Sequence, residues 1–468
     1  MLLNQAFTDP RRLASQSRAA GLAAVMLAGL TLAGCASWPG AADGPASTGA
    51  THAADLALAD NAWWGRFGDP LLDQLIAQAL QANTSIRSAQ AALQQSRALR
   101  DANAASAGPG LSLSGSAGRS QTEATEPVNS FKAGLDARWE LDIFGGNRSS
   151  IKASDADSLA AQASLRDVQV SVAAEVALAY IALRGSQAQL AIAQNNLVSQ
   201  QETRQITQWR AQAGLVTSLE VEQAQAAVAQ TASQIPALQT SLAKTRHSLA
   251  LLTGQRPLEL DLLLTPTQPV PQASSTLTQQ IPANTLRQRA DVRAAEHRIT
   301  AALARVAVAD AARYPGFNLG GSLSLSALTL AGLSNGATLA GSLLGAVSVP
   351  LFDGGAAISQ VLAQQAALEQ SRAAYQATVL TALKEVEDAL ISLNNDRQRL
   401  GWQQLAADAA GNAARLADHR YASGLVDFQT VLQTQRTLLS SQDSVASLQA
   451  EISADLVRLV KALGGGWH

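Results

Sequence analysis

Two copies of one pattern, a short alternating strand followed by a very long helical tract, constrain the fold of this chain more than any other feature. The first copy, 131–214, opens with FKAGLDARWELDIFGG, and the second, 347–424, opens with VSVPLFDGG. Glycines of the two copies pair at a near-constant offset, since 354 − 145 = 209 and 424 − 214 = 210. Each helical tract extends for roughly 68 residues, or about 100 Å at 1.5 Å per residue. The sequence therefore predicts one extended architecture with an internal two-fold repeat.

The composition and the spacing of apolar residues favour a mainly α fold with long antiparallel coiled-coil hairpins. Aromatic residues make up 4% and charged residues 15% of the 468 residues, which is an unusual balance for a globular enzyme. Apolar residues recur every seven positions, which is the coiled-coil period, once in each repeat. The first series is Val176, Leu183, Leu190 and Leu197, and the second is Leu438, Val445, Ile452 and Leu459. We expect the hairpins to turn at Gly214 and Gly424, because glycine supplies the left-handed residue that ends a helix.

The N-terminus has the order of a secretory signal peptide, with three arginines before an apolar run at 19–33 that is too short to span a bilayer. The run ends in Leu-Ala-Gly-Cys, which resembles the lipobox of bacterial lipoproteins, where the signal is cut before the cysteine and the thiol is acylated. We therefore expect a signal peptide at 1–34 and a lipid on Cys35, the only cysteine of the chain. The alternative is an ordinary secretory cleavage site with a chance cysteine. Ala36 favours sorting to the outer membrane, since Asp at this position would resemble the inner-membrane retention signal.

Beyond the signal peptide, the sequence divides into four further segments. Residues 35–60, rich in Ala, Gly, Ser and Thr, are expected to be a lipid-anchored flexible tether. The first repeat covers 61–254, and the second covers 285–468. Between them, 255–284 holds five prolines and is interpreted as a linker.

Four strands are predicted, at about 111–118, 131–142, 317–327 and 341–351. Along 131–142, apolar residues alternate with a charged set that we expect to face an aqueous lumen: Lys132, Asp136, Arg138 and Glu140. Such a strand suits a membrane barrel with lipid outside and water inside. The alternative is an amphipathic strand half exposed on a soluble protein.

Four strands cannot close a barrel, and open strand edges are not tolerated in lipid. Several chains must therefore share one barrel. Eight strands fill their own interior, so three chains with 3 × 4 = 12 strands are the smallest number that leaves a pore. We expect a homotrimer in contact with outer-membrane lipid.

Neither catalysis nor ligand binding is supported by the sequence, so we predict no enzyme, cofactor or metal site. The five histidines are isolated, without an i, i+4 partner or a cysteine ligand: His52, His247, His297, His419 and His468. Removing 1–34 leaves 34 − 3 = 31 basic and 36 − 1 = 35 acidic side chains, a net charge of −4. Without a basic patch, nucleic acid is excluded as a partner.

Several short motifs together resemble the TolC-type outer-membrane channel family, and especially its lipoprotein branch, which serves multidrug efflux pumps of the resistance-nodulation-division class. The motifs, in chain order, are WWGRFGDPLLDQLI, WELDIFGGNR, AGLVTSLEV, DVRAAEHRI, ARYPG, PLFDGG, SGLVDFQTV and KALGGGW. The resemblance implies a trimer with a twelve-stranded β-barrel, a periplasmic α-barrel and a tapered tip. It further implies a periplasmic adaptor and an inner-membrane pump as partners, and passive export of drugs and other toxic small molecules.

The same resemblance assigns the two hairpin turns to the tip that faces the adaptor: Gly214, Leu215, Val216, Gly424, Leu425 and Val426. It places the following turns of helix at a constriction, with these candidates: Leu219, Gln223, Asp427, Gln429 and Gln433. Family members often have an apolar residue and then Asp where this chain has Gln429 and Gln433, so Asp427 is the candidate for a negative ring. The alternative role of these residues is helix capping and ordinary coiled-coil packing.

Two other functions stay open at this point. The same fold could serve type I protein secretion or metal efflux. A hypothesis of a different class is a structural coiled-coil lipoprotein that spaces the periplasm without conducting.

Overall fold

A computed structural model of the chain describes residues 63–121, 126–272 and 285–465. The predicted signal peptide, the tether up to residue 60 and Cys35 lie outside these residues.

Each repeat of the described chain contributes helices, then two strands, then a long helical hairpin. The first repeat contains α1 (Pro70–Ala82), α2 (Thr84–Ser106), β1 (Gly110–Ser120), β2 (Val128–Leu141), α3 (Gly146–Gln212) and α4 (Ser218–Leu252). One helical turn, α5 (Asp261–Leu264), follows. The second repeat contains α6 (Thr285–Gln288), α7 (Ala290–Ala311), β3 (Gly316–Ala327), β4 (Thr338–Ser348), α8 (Ala356–Ala422) and α9 (Phe428–Ala462). This mainly helical fold with four strands confirms the predicted fold class.

Local sequence signals explain where the helices begin and end. The Asp69 side chain accepts hydrogen bonds from the backbone N–H groups of Leu71 and Leu72, and Pro70 takes the first helical position, where no N–H is needed. Asn83 caps α2 in the same way through Ser85 N–H. The two long helices, α3 and α8, each contain 67 residues, so each is about 100 Å long.

The four strands form one antiparallel sheet in the order β1-β2-β3-β4. Strand β4 lies three residues N-terminal of the predicted 341–351. At its start, Gly336 takes a positive φ of 107° and turns the chain so that Thr338 pairs with Ser326. Pro350, which has no N–H for a ladder, follows its end. Strand β2 stops at Leu141, and the Asp142 carboxylate instead accepts from the N–H groups of Asn147 and Arg148 at the start of α3.

The described part of the predicted linker, residues 255–272, is packed on the body, and we name it the strap. Leu260 and Leu264 are buried in the main core beside residues of α1, α3, α8 and α9. Arg184 of α3, fully buried, donates to the carbonyl of Pro266 at 2.7 Å and to the Tyr180 hydroxyl at 2.9 Å. The Tyr180 hydroxyl donates in turn to Asp69 at 2.6 Å. Burial and the bond to Asp69 raise the pKa of Tyr180 to about 12. The strap is therefore an ordered structural element.

The contacts between helices show that the long helices lie side by side in a single layer with two open edges. Towards the sheet the order is α2, α3, α7, α8, and towards the hairpin turns it is α4, α3, α9, α8. Helix α8 thus forms one edge along its whole length, and α2 with α4 forms the other. Among the described helices, α3 alone has a segment long and apolar enough to cross a membrane, and 56% of that segment is buried in the structure. This segment is apolar because α3 packs in the centre of the layer.

The buried arginine yields a stability prediction. Replacing Arg184 by Leu leaves the Pro266 carbonyl and Gln187 without their charged donor, so we expect the free energy of unfolding to fall by about 2–4 kcal/mol. Guanidinium titration of the detergent-solubilised protein, followed by circular dichroism, measures it. The matched control is Arg166→Leu, at an exposed position on the same helix. Equal effects of the two substitutions would contradict a structural role for Arg184.

Candidate functional site

One face of the sheet collects its polar side chains. The pairing register aligns Ser112, Asp136, Ser322 and Ser342 across the four strands. Ser114 donates to Asp136 at 3.0 Å, and the hydroxyls of Ser322 and Ser342 lie 2.8 Å apart. Even-numbered residues of all four strands share this face, so it carries the four predicted lumen charges, spread along β2: Lys132, Asp136, Arg138 and Glu140. The sheet forms a concavity of about 590 Å³, lined in part by Asp136, Arg138, Ser112, Ser322 and Ser342.

The opposite face of the sheet is apolar and uncovered. Leu111, Leu113 and Leu343 are 72%, 80% and 79% exposed, respectively. A contiguous apolar strand face of this kind needs an apolar phase or another protein against it.

Aromatic side chains gather where the sheet meets the helices. Phe144 stacks on Tyr314 with 4.8 Å between ring centroids, and Phe317 lies 6.4 Å from Phe144. The indole N–H of Trp139 donates to the carbonyl of Ala107 at 3.1 Å. Trp139 and Tyr314 have rings with an apolar body and a polar tip, which suit a membrane–water boundary.

The far ends of both hairpins have the same backbone geometry. Gly214 and Gly424 adopt positive φ angles of 72° and 75°. The next residues, Leu215 and Leu425, donate their N–H groups to the carbonyls of residues five positions earlier, at 2.9 and 2.8 Å, which is the Schellman motif. Both leucine side chains are left largely exposed, at 67% and 75%. Val216 and Val426 are half-buried.

The two helices that leave these turns begin with carboxylate caps. The Glu220 carboxylate accepts from the Thr217 N–H and hydroxyl, and the Asp427 carboxylate accepts from the Thr430 N–H and hydroxyl. Hydrogen bonds from the Thr217 and Thr430 side chains lower the pKa of Glu220 and of Asp427. Both groups are therefore negatively charged at neutral pH. Asp427 caps α9, which is the role given above as the alternative to a place in the constriction.

Of the constriction candidates, the structure brings Gln223 and Gln429 together. Gln429 Nε2 donates to Gln223 Oε1 at 2.7 Å, joining the starts of α4 and α9. Leu219 is 63% exposed and Gln433 is exposed. These candidates therefore lie at one end of the helical layer, on the two return helices.

A contact between the repeats, not predicted from the sequence, holds the end of α3 against the end of α8. The Arg210 guanidinium hydrogen-bonds to the carbonyl of Tyr421 and lies 4.5 Å over its ring. The Tyr421 hydroxyl is 3.2 Å from the Thr207 hydroxyl, and its ring packs beside Phe428. We name this group the tip clamp. Its one sequence signal is a basic residue in the last helical turn, where it can bind free carbonyls.

The half-buried carboxylate of Asp418 lies close to the tip clamp, on the side towards the sheet. Gln435 of α9 donates to the Thr203 hydroxyl at 2.9 Å and to Asp418 at 3.3 Å. Burial raises the pKa of Asp418. This polar contact joins α3, α8 and α9. In the part of the chain that the structure describes, no three His, Cys, Asp or Glu side chains cluster as metal ligands.

Comparison with known proteins gives the family. A family model described as outer membrane efflux protein matches residues 75–255 and 281–465. The chain belongs to this family. It is 31% identical over 422 residues to the pyoverdine export outer membrane protein OpmQ of Pseudomonas aeruginosa, covering 87% of each chain. It is 30% identical over 440 residues to the toluene efflux pump outer membrane protein TtgF of Pseudomonas putida, covering 92% of this chain and 91% of that protein.

The solved structure of the outer-membrane channel OprN superposes with a TM-score of 0.82 at 37% identity, over 86% of this chain and 92% of that one. The chain is thus an outer-membrane channel protein of efflux pumps, with a helical extension in the periplasm, and it is not an enzyme. The two family matches correspond to the two repeats found in the sequence, and the predicted TolC-type fold and efflux function are confirmed.

The tip clamp can be tested by its effect on local opening. Without the Arg210 guanidinium, the Tyr421 carbonyl and ring lose a charged contact worth about 1–2 kcal/mol. We therefore expect Arg210→Ala to speed amide hydrogen exchange in 203–231 and 415–435 roughly tenfold, measured by mass spectrometry. Arg210→Lys keeps the charge without the planar stacking and should be intermediate. Arg436→Ala, at an exposed position on α9, is the control. Unchanged exchange in Arg210→Ala would show that the clamp contributes nothing.

Proposed function

We propose that three copies of this chain form a passive conduit that carries small organic molecules from a periplasmic adaptor and an inner-membrane pump across the outer membrane. The observation that carries the proposal is that the sheet and the helical layer are open at matching edges. Strand β1 follows edge helix α2, and strand β4 leads into edge helix α8. A neighbouring copy can therefore complete the sheet and the helical layer at the same seam.

The sheet requires such neighbours. Its outer strands leave unpaired N–H and C=O groups that cannot be satisfied by lipid. Pairing β4 of one copy with β1 of the next removes both edges when the ring closes. Three copies supply 3 × 4 = 12 strands, and this number leaves room for water inside.

Helix α8 supports the same closure. Its exposed large apolar residues are Ile358, Leu362, Leu380, Leu383, Ile391, Trp402, Leu405 and Leu416. At 100° per residue, these residues fall within an arc of about 100° along the whole helix. We name this arc the α8 stripe. In the single chain it has no partner, and in the ring it faces the α2 and α4 edge of the next copy.

The polar face of the sheet is the proposed lumen wall. Serines and glycines dominate it, and Lys132, Asp136, Arg138 and Glu140 contribute two positive and two negative charges. The apolar face is then turned to lipid, as transmembrane barrels require. Membership of a channel family favours this conduit over the non-conducting periplasmic spacer.

The hairpin turns are the proposed contact with the adaptor. Leu215 and Leu425 are exposed at an end of the layer, and Trp209, near the end of α3, is 59% exposed. Exposed apolar residues grouped in this way favour a protein partner. Leu219, Gln223, Asp427, Gln429 and Gln433 would line the constriction behind them. The transported molecules are proposed to be small and organic, because OpmQ and TtgF are named for pyoverdine and toluene.

Cys35 is proposed to be acylated after the signal peptide is cut. The support is the Leu-Ala-Gly-Cys run after a short apolar segment. A lipid at this point would tether the first folded residues to the membrane that the barrel spans.

Cysteine labelling tests the conduit. In proteoliposomes, a water-soluble maleimide should react with Asp136→Cys at least roughly tenfold faster than with Leu135→Cys, because a thiol in lipid does not ionise. Native mass spectrometry of the same samples should give a trimer. The two positions are adjacent in β2, so they form a matched pair, and the unmodified protein controls for Cys35. Equal labelling of a monomer would support the soluble spacer instead.

The lipid is tested by the mass of the mature N-terminus. We expect the secreted chain to begin at Cys35 and to carry acyl groups, which Cys35→Ser abolishes and Ser37→Ala preserves. Incorporation of a labelled fatty acid gives an independent measurement. An unmodified N-terminus at another position would contradict acylation and favour ordinary secretory cleavage.

A further inference from the structure

We propose that the loop between β3 and β4 anchors each copy in the outer leaflet of the outer membrane by burying its leucines among lipid acyl chains. The loop covers 328–337 and has the sequence LTLAGLSNGA, and we name it the outer loop. The proposal rests on the proposed conduit, in which the apolar face of the sheet meets lipid, and it assigns a lipid contact to a segment beyond the strands.

The outer loop lies at the end of the sheet that is away from the periplasmic helices. Strand β3 follows α7 and strand β4 leads into α8, so the connection between the two strands is at the opposite end. The other connection at this end, 121–127, joins β1 to β2 and has the sequence QTEATEP. Its two glutamates are typical of a segment that faces water. The outer loop therefore differs in chemistry from the connection beside it.

The outer loop is apolar and uncharged. Leu328 and Leu330 are 69% and 47% exposed, and Leu333 is half-buried. From 314 to 352 the sequence contains no Asp, Glu, Lys, Arg or His. Exposed leucines that are close together in the chain are unfavourable in water and favour contact with an apolar phase.

The outer loop turns towards the apolar side of the sheet and away from the lumen side. In its short 3₁₀ helix, Ala331–Leu333, Gly332 packs so closely on Ala327 that a Cβ added to this glycine would lie 3.0 Å from the Ala327 Cβ. Ala327 pairs with Phe131, and odd-numbered residues of both strands form the apolar face. The outer loop therefore continues the face that meets lipid, which favours a lipid contact over a lid across the pore.

Hydrogen bonds within the outer loop satisfy backbone groups that lipid cannot satisfy. The Gly332 N–H donates to both the carbonyl and the hydroxyl oxygen of Thr329, each at 3.0 Å. The N–H groups of Leu333 and Ser334 donate to the carbonyls of the residues three positions earlier, both at 3.3 Å. Because an N–H without a partner is costly in an apolar phase, these internal bonds suit the loop to the boundary between headgroups and acyl chains.

A basic residue on the same face marks the height of the lipid headgroups. Arg119, near the end of β1, is exposed and pairs with Asn129, and its odd number places it on the apolar face. Asn129 precedes Phe131, the partner of Ala327, by two residues, so the register continues to Thr329 at the start of the outer loop. An arginine at the end of a lipid-facing strand matches the negative charge of headgroup phosphates. The outer loop thus begins at headgroup height.

Spin-label accessibility tests the contact. The full chain with Leu330→Cys is labelled with a nitroxide and reconstituted as the trimer in nanodiscs of phosphatidylethanolamine and phosphatidylglycerol. The control is Asn335→Cys, an exposed position later in the same loop. We expect the ratio of oxygen to nickel-complex collision rates to be at least roughly threefold higher for Leu330→Cys, because the polar nickel complex does not enter hydrocarbon.

Two further samples calibrate this measurement. Leu323→Cys, 49% exposed on the apolar face of β3, gives the ratio for a lipid-facing position in the sheet. The unmodified protein controls for labelling of Cys35.

The outcomes separate the outer-loop anchor from the conduit. Equal ratios for Leu330→Cys and Asn335→Cys, with Leu323→Cys still facing lipid, would overturn the anchor and leave the conduit intact. Access of the nickel complex to Leu323→Cys as well would remove both. A label at Leu330→Cys that is shielded from oxygen and from nickel would assign the loop to the pore or to another protein, and it would overturn the anchor.

A second variant tests whether the leucines hold the outer loop in lipid. The label is placed at Ala331→Cys and Leu330→Asp is added, because a carboxylate is costly in hydrocarbon. We expect the oxygen-to-nickel ratio to fall at least roughly twofold as the loop moves towards water. Asn335→Asp adds the same charge at an exposed position and should leave the ratio unchanged. Equal ratios in the two charged variants would contradict the anchor.

Discussion

Backbone groups at the edge of a sheet must be hydrogen-bonded, and in hydrocarbon no water can do it. This constraint governs the whole molecule, because β1 and β4 each leave one edge unpaired. In the proposed ring, closing the sheet between copies fixes the position of every helix that the strands lead into or follow. Helices α2 and α8 then lie at the same seam as the strand edges. The open edge of a short sheet thereby determines the assembly of helices about 100 Å long.

A single layer of helices explains the unusual composition. A surface helix of a globular protein has one buried face, whereas α3 touches neighbouring helices on two sides and, away from α1 and the strap, water on the others. Its buried positions are accordingly divided between narrow seams and are often alanine, as at Ala156, Ala160, Ala173 and Ala177. Small residues let helix backbones approach closely, and the remaining positions accept Gln and Ser. Low aromatic content follows from the absence of a thick core.

Local chemistry was predictable, and contacts between distant segments were not. Asp69, Gly214 and Asp427 set helix ends through their immediate neighbours, so the sequence pattern suffices. Alternation along β2 likewise predicts the polar face. The Arg210–Tyr421 contact joins residues 211 positions apart, and Arg184 reaches the strap across 82. No spacing rule encodes such pairs. The strap was interpreted as part of a linker because 255–284 holds five prolines. The burial of Leu260 and Leu264 depends on contacts with distant helices, which the sequence pattern does not encode.

The two repeats share a backbone but differ in chemistry at the tip. The two repeats are offset by 210 residues at the tip, so the equivalent of Arg210 in the second repeat is Arg420. This residue is also an arginine and it is exposed, so the basic residue recurs. The equivalent of Tyr421 in the first repeat is Ala211, so the aromatic ring that accepts the arginine does not recur. In the proposed trimer, six similar turns would surround the axis. Three junctions inside the chains would carry the clamp of Arg210 on Tyr421, and three junctions between copies would present Arg420 to an alanine. In that trimer the backbone at the tip would therefore be nearly six-fold, while its chemistry would be three-fold.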